Sequence, residues 1–582
     1  MRLEHPLRHA RTAAIAAAIV ASSVSAFGQS GQSRLTEIAK SAATGLALQP
    51  GETLKAISID EAVKLGLEQN LGIQIQRYDP QIQDTAIAQA RSFWAPQFTT
   101  TLTRASNEQP VVNIFSGSQP SVTNGQFFTG IALSETLPWG ASYTASWNNS
   151  RFTTNDPSNT FNPRVQSNLV LNFNQPLLRN RSIDQIRQAV ANSQKFRDLS
   201  DIQLDAVIVQ TTRAVRNAYW DLSATINNLK AQQESLALAQ QSLSDNRKRV
   251  EIGTLAPIDI VQAQAEVASN EERVIVAEAL IKRAQDNLRA LILNPSATDF
   301  WTTAFEPSDD APFQEQAIDI DAAVRNALDR RADLRSAKNS IDRSDLNVRY
   351  LRNQVLPDIN AVVNYGAIGV GGVQLPVRNP LTGELSITDP ISRGFGSALS
   401  DVFRSSYPQW TFGVQIGYPL GASTEHANLE RAKLEYQQSQ TQLKNVELQI
   451  ATQVRESGRN VQTNQKRVQS ARASRELQEK KLEAEEKKQA AGMSTSFFVF
   501  QAQRDLAQSR TQEIQAIADY NKSLVDFEAV QLSPLGGNTT FVNTAGQQSF
   551  QTGNTGNNGN NGNNGNTGNT GGITGNTGRQ QQ

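Results

Sequence analysis

Residues 183–252 contain neither proline nor glycine. Inside a helix glycine costs about 1 kcal/mol and proline about 3 kcal/mol relative to alanine. A run free of both is compatible with one unbroken helix, roughly 105 Å long at 1.5 Å per residue. Its apolar side chains keep a seven-residue spacing through Ile208, Val215, Leu222, Leu229, Leu236, Leu243 and Val250. The spacing resumes at Ile260, Val267, Val274, Ile281 and Leu288. Sustained heptads predict coiled-coil packing. Between the two runs lies Gly253-Thr254-Leu255-Ala256-Pro257, where the glycine suits a helix C-cap and the proline the first turn of the next helix. The expected product is an antiparallel helical hairpin over 183–293 with a tight tip.

The chain then repeats this plan. A second hairpin is predicted over 427–491 and 497–531, around Gly492-Met493-Ser494-Thr495-Ser496. Its heptads Val454, Val461, Val468 and Leu482 are interrupted by Arg475. Ile59-Asp60-Glu61-Ala62-Val63 aligns with Ile320-Asp321-Ala322-Ala323-Val324, and the same offset of 261 pairs Pro96 with Pro357. Gln175-Pro176-Leu177 aligns with Tyr418-Pro419-Leu420. An offset of 239 relates Gly253 to Gly492 and Gln262-Ala263-Gln264 to Gln501-Ala502-Gln503. Such self-similarity marks internal repeats, each reading helix, strand, loop, strand, long helix, glycine turn, helix. The helices leading into strands, over about 59–95 and 320–356, are near 36 residues, as are those returning from the tips. Two stacked end to end match one long helix, which predicts a tall wall of long helices alternating with stacked pairs.

The strands show period-two alternation. In 165–174, Val165, Leu169, Leu171 and Phe173, with Ser167 among them, oppose Gln166, Asn168, Asn172 and Asn174, interrupted by Val170. In 410–418, Trp410, Phe412, Val414, Ile416 and Tyr418 alternate with Thr411, Gly413, Gln415 and Gly417. Segments 97–105 and 358–365 alternate more weakly. These lengths suit tilted membrane strands, although a soluble sandwich with one buried face gives the same alternation. A further pair, near 126–135 and 141–150, flanks Leu137-Pro138-Trp139-Gly140. The pattern leaves open whether it joins a barrel or forms a surface hairpin. Four core strands cannot close a barrel, which takes about eight, and free edges in lipid are prohibitive. The strands therefore predict a ring of identical subunits. Trp94, Trp139, Trp147 and Trp410 are candidates for interfacial aromatic belts, with ordinary packing as the competing role. Segment 366–409 is expected to be mostly extracellular, with a short helix where Phe395, Leu399, Val402 and Phe403 keep helical spacing.

Residues 1–26 read as a signal peptide: Arg2, Arg8 and Arg11, an apolar run from Ala13 to Ala21, then Val24-Ser25-Ala26. The Gly/Asn-rich tail has almost no apolar residues with which to offset chain entropy and is expected to be disordered. With 55 basic and 55 acidic side chains there is no basic excess for nucleic acid. Cysteine is absent, and the mature chain keeps only His426, so a catalytic triad or a thiolate or histidine-rich metal site is not expected. No phosphate-binding glycine loop, HExxH or GxSxG motif is present. The chain reads as no enzyme, with no cofactor and no metal. Its only methionines are Met1 and Met493, which argues against a methionine relay for copper or silver.

The doubled plan resembles the TolC-type outer-membrane factor family over roughly 57–533. Pro96, Pro357, Pro176-Leu177, Pro419-Leu420, Gly253 and Gly492 carry the resemblance, together with Ile258-Asp259-Ile260-Val261-Gln262-Ala263-Gln264 and Asp519-Tyr520-Asn521-Lys522-Ser523-Leu524. It implies an α+β membrane protein, a homotrimer whose twelve-stranded β-barrel is continued by a long α-helical barrel. It also implies a passive exit duct in the outer membrane, with a large periplasmic portion, for a tripartite efflux or type I secretion system. An inner-membrane pump would deliver substrate through a periplasmic adaptor. The implied layout is signal peptide 1–26, linker 27–56, repeat 1 over 57–293 with its tip at 253–257, and an equatorial connector 294–318. Repeat 2 follows over 319–533 with its tip at 492–496, then the tail 534–582. The resemblance places Gly253, Thr254, Leu255, Gly492, Met493 and Ser494 at adaptor-docking tips. Asp259 falls where the family often has an acid near the closed aperture. Phe498 and Gln501 stand where many members carry lumen-facing acids, so an acidic cation ring is not expected. Phe497-Phe498 is either a hydrophobic constriction or packing between helices. The alternative for the whole chain is a periplasmic coiled-coil adaptor or scaffold. Cargo is not legible.

Overall fold

The computed structural model describes residues 52–111, 120–297, 299–309, 313–376, 383, 387, 389–418, 420–421 and 423–535. The signal peptide, most of the 27–56 linker, Pro419 and the tail from 536 lie outside them.

Two helices dominate, α4 (Gln185–Glu251) and α9 (Thr424–Ala490), each of 67 residues. Asp184 starts α4 by accepting from Arg187 N at 2.7 Å, and Ser423 starts α9 by accepting from His426 N at 3.4 Å. From their far ends α5 (Ile258–Ile292) and α10 (Ser496–Val530) return, 35 residues each. The heptad positions make the seams. Val215, Leu222, Leu229, Val274, Ile281 and Leu288 are buried in one core, and Val454, Val461 and Val468 join Tyr520 and Phe527 in a second. Arg475, which interrupts the second set, is held by ion pairs to Glu513 on α10 and Glu479 on α9.

The returning helices stop short of the sheet, and others continue their line. The helix expected over 59–95 is three helices: α1 (Ile59–Gln69), α2 (Leu71–Gln76) and α3 (Tyr78–Ser92). That expected over 320–356 is two, α6 (Ile320–Arg330) and α7 (Ala332–Gln354). α2 and α3 part at Arg77, which keeps helical φ and ψ; the two extended breaks fall at Asn70 and Arg331, with ψ of 123° and 136°. Each break serves the helix end opposite. Asn70 Nδ2 donates to Leu291 O at 3.1 Å while its Oδ1 accepts from Ile73 N at 3.3 Å. Arg331 Nη1 donates to Val530 O at 3.1 Å, and Ala332 N to Leu532 O at 3.0 Å. The end carbonyls of α5 and α10, which lack intrahelical donors, thereby gain partners. Here α1 crosses so close to α4 that a Cβ on Gly66 would lie 2.9 Å from Val215 Cγ2.

This equator also holds a strand pair missed in the sequence. β1 (Thr53–Ile57), inside the expected linker, pairs in parallel with β6 (Thr303–Pro307), inside the expected connector. Their partners are some 250 residues apart, so no local pattern announces them. Tyr219 of α4 ties the pair down: its hydroxyl donates to Asp309 Oδ2 (2.8 Å) and accepts from Asp309 N (3.1 Å). Burial, with the neighbouring carboxylate assisting, pushes the Tyr219 phenol up to about 12. The neutral phenol is the form the fold favours. Its contribution to stability is full below the ordinary value near 10 and declines as pH rises from there through about 12. Tyr219→Phe is expected to cost about 1–3 kcal/mol at neutral pH and to remove that alkaline slope. Thermal melts of both proteins across the range check it, and identical slopes would contradict it.

The sheet has long strands β2 (Gln97–Pro110), β3 (Ser121–Thr136), β4 (Ser142–Thr154), β5 (Phe161–Pro176), β7 (Asp358–Gln374) and β9 (Pro408–Gly417). They pair antiparallel in that order, and β8 (Ile391–Arg393) adds a short pairing at the far end of β7. The sheet places a strand pair whose position the sequence pattern leaves open, and it extends one strand beyond its expected end. The strand pair near 126–135 and 141–150 is β3 and β4, inserted between β2 and β5, so the sheet has six long strands rather than four core ones. Also, the strand expected over 358–365 runs on to Gln374; Gly366, Gly369, Gly371 and Gly372 erase the alternation there. The short helix expected in that segment is α8 (Phe395–Phe403).

Candidate docking tips and two-faced sheet

The tips are built alike. Gly253 and Gly492 take φ of +76° and +74°, the left-handed region where a side chain is strained. Thr254 N donates to Arg249 O and Gly253 N to Val250 O; Met493 N donates to Lys488 O and Gly492 N to Gln489 O. These paired bonds close both long helices in the same C-terminal motif. Open space surrounds both glycines, so Gly253→Ala or Gly492→Ala meets backbone strain alone. Each is expected to cost about 1–2 kcal/mol, with asparagine at the same position costing less. Melting curves of the three variants check the order Gly, Asn, Ala.

The tips expose apolar side chains: Ile252, Ile258 and Val261 on the first hairpin, Met493, Phe497 and Phe498 on the second. Leu255 and Ser494 are half-buried, and Thr254 is exposed. The Ser494 hydroxyl donates to Glu485 Oε2 at 2.8 Å. Hydrogen bonds from Lys488 and Ser494 hold the Glu485 carboxyl below its ordinary range. Asp259 is half-buried in the first turn of α5, while Phe498 and Gln501 are exposed on α10. Among the described residues no side-chain hydrogen bond or ion pair joins Asp259 to Phe498 or Gln501. A buried acid missed in the sequence does bridge the hairpins. Glu266 on α5 pairs with Arg504 on α10 at 2.9 Å and accepts from Asn270. The signal was faint, since each residue sits singly among many helix charges. Among the described residues no group of three or more His, Asp or Glu is placed to hold a metal ion.

The sheet has two unlike faces. Phe98, Leu133, Ala145, Leu171, Tyr365 and Trp410 stand opposite one another in turn across all six long strands. The adjacent row, on the other face, is Gln97, Ser134, Thr144, Asn172, Asn364 and Thr411. On the apolar face Phe98, Leu102, Trp410, Phe412 and Ile416 are largely exposed. At its far end lies α8, with Ala398 and Val402 buried against β7. Of the tryptophans, Trp410 is 76% exposed on this face and Trp139 is exposed at the β3–β4 turn. Trp147 is half-buried, donating to Ser167 Oγ at 2.9 Å, and Trp94 Nε1 is buried without a partner. Among the described residues no helix is long and apolar enough to cross a membrane.

A two-faced antiparallel sheet joined to two long helical hairpins defines the class, a channel protomer of the outer-membrane type. The chain matches the family described as outer membrane efflux protein over residues 137–292 and 323–530, and it belongs to that family. Members of the family are transport channels, not enzymes. Its fold is similar to the outer membrane channel CmeC of Campylobacter jejuni (14% identity, 81% of this chain and 85% of that one, TM-score 0.58). It is likewise similar to VceC of Vibrio cholerae (16%, 82% and 96%, 0.54) and to MtrE of Neisseria gonorrhoeae in its open state (16%, 82% and 89%, 0.53). No curated protein matches it in sequence.

Proposed function

We propose that three copies close their sheets into one barrel in the outer membrane and their helices into a periplasmic tube. The assembly is the passive exit duct of a tripartite efflux or type I secretion system, supplied by an inner-membrane pump through a periplasmic adaptor. The observation that carries this reading is the sorting of the sheet: exposed aromatic and aliphatic side chains on one face, amides and hydroxyls on the other. A soluble sheet would have to bury that apolar face, whereas in lipid it is the favoured surface. Trp410 and Trp139 are the exposed members for aromatic belts. The helix layer supports a ring, because its lateral margins carry exposed apolar residues, Ile75, Tyr78, Ile275 and Val276 on one and Leu434, Leu448 and Leu477 on the other. Equivalent caps, Ser58 with Asp319 and Asp184 with Ser423, support two repeats, 57–293 and 319–533.

The exposed apolar side chains at and beside the tips Gly253–Leu255 and Gly492–Ser494 (Ile252, Ile258, Met493 and Phe497) fit an adaptor presenting an apolar helical end. Phe498, exposed in the single subunit, serves with its neighbours as a hydrophobic constriction, flanked by Asp259 and Gln501. Membrane fractionation tests the reading. The protein is expected with the outer membrane, released only by detergent. Release by osmotic shock as a soluble protein would favour the periplasmic scaffold instead.

A further inference from the structure

We infer that this duct has an eighteen-stranded membrane barrel, closed by pairing β2 of each copy with β9 of the next, in place of the family's implied twelve strands. The inference rests on the trimeric barrel reading above. Among the described residues of one subunit β2 is bonded only to β3, and β9 only to β7. Both margins present a row of backbone donors and acceptors that lipid cannot satisfy. Six strands are too few to close on themselves, so a second copy is the occupant. The strand sense permits it. Six antiparallel strands place β2 and β9 in opposite directions, so β2 meets a neighbouring copy's β9 antiparallel, as at every other long-strand pairing in the sheet.

The inserted strands belong to this wall. β3 is bonded along its length to β2 on one side and β4 on the other, and β4 continues to β5. Both the polar and the apolar rows run through them without a change of face, as in the ladder Phe98, Leu133, Ala145, Leu171. A surface hairpin would have no reason to keep that registry.

The widths agree. Below the equator the layer is four helices across (α5, α4, α10, α9), and above it again four (α3, α4, α7, α9). At about 9–10 Å between axes, four helices take up roughly 38 Å of circumference. Six strands about 4.8 Å apart, tilted by about 40°, take up roughly 38 Å as well, whereas four would take up roughly 25 Å. The barrel is therefore as wide as the tube beneath it, about one and a half times the diameter of a twelve-stranded one. Its lumen is lined mainly by uncharged amides and hydroxyls such as Asn172, Asn364 and Thr411.

Electron cryo-microscopy of the detergent-extracted full chain counts the strands. Six per subunit, with β2 bonded to a neighbour's β9, is the expected result. A threefold tube whose barrel has twelve strands, with two strands of each copy outside it, would overturn the inference and leave the duct standing. A particle with no barrel would overturn the duct reading itself. Disulfide trapping gives a second readout, because the chain has no cysteine of its own. Thr101→Cys on β2, combined in turn with Thr411→Cys, Gly413→Cys and Gln415→Cys on β9, is expected to give intersubunit cross-links. Cross-links from Ser146→Cys on β4 to those positions instead would show a barrel closed without β2 and β3, and would overturn it.

Discussion

Arg331→Ala is expected to destabilise the protein by about 3–5 kcal/mol, the cost of breaking a buried charge pair from one side. The guanidinium is fully buried and pairs with Asp333 at 3.0 Å. It also donates to Val530 O on α10 and to Gln453 on α9. Removing it leaves an acid, a helix-end carbonyl and an amide without their donor. Three elements lose their shared fastening, the ends of α10 and α7 and the flank of α9. Arg331→Lys is expected to recover only part of the loss, since an ammonium lacks the planar fork that reaches several partners at once. Asn70 stands at the corresponding break in the first half, but it is a neutral cap, and Asn70→Ala is expected to cost about 1 kcal/mol. Denaturant titration of the detergent-solubilised variants measures all three. Equal losses at Arg331 and Asn70 would contradict this account.

Gly369→Leu is expected to lift α8 from the sheet. A Cβ on Gly369 would lie 1.8 Å from the carbonyl oxygen of Ala398, and the obstacle is backbone, so no rotamer change relieves it. Gly369 shares a strand face with Ala367, which is buried, and its strand partner Ser167 is buried as well. Lifting the helix uncovers both and parts the Tyr365–Ser405 hydroxyl pair, 2.7 Å apart. The Arg393–Asp401 ion pair beside it (2.8 Å) would no longer hold the preceding turn. Trypsin added to intact cells reads this out. Cleavage at Arg404 or Arg393 is expected in Gly369→Leu and not in the parent. Gly413→Ala is the control, since Gly413 has open space around it. Equal resistance of Gly369→Leu and the parent would show that α8 does not depend on this seat.

The helical hairpins were the most legible part of the chain. Heptads predict a seam whatever surrounds it, and the residues named at Val215, Leu222, Val274 and Val461 are the ones buried. The tips were legible because Gly-x-x-x-Pro and its counterpart encode a stop and a restart locally. The breaks at Asn70 and Arg331 were not. Arg331 is held extended by α10 and α9, more than a hundred residues away in sequence, and Asn70 serves Leu291 O across a still longer separation. β1 and β6 were hidden for the same reason. β7 was cut short because glycine takes four of the nine positions over 366–374; Gly369 and Gly371 lie against α8 and the turn before it, a contact that no strand period announces. At the tips, the turns at Gly253 and Gly492 follow from local residues, while the Glu266–Arg504 bridge between the hairpins depends on packing.

The sequence by itself determined the local elements: long heptad helices, glycine-capped tips, and strands with one apolar and one polar face. Each follows from a period or a turn residue that acts over a few positions. The tertiary structure alone decided which element lies beside which. It placed β3 and β4 inside the sheet, stacked α7 on α10, and joined β1 to β6. Alternation fixes which way a side chain faces but not which strand is its neighbour. That is settled by backbone hydrogen bonds, which carry no side-chain signature and are satisfied only once distant segments meet.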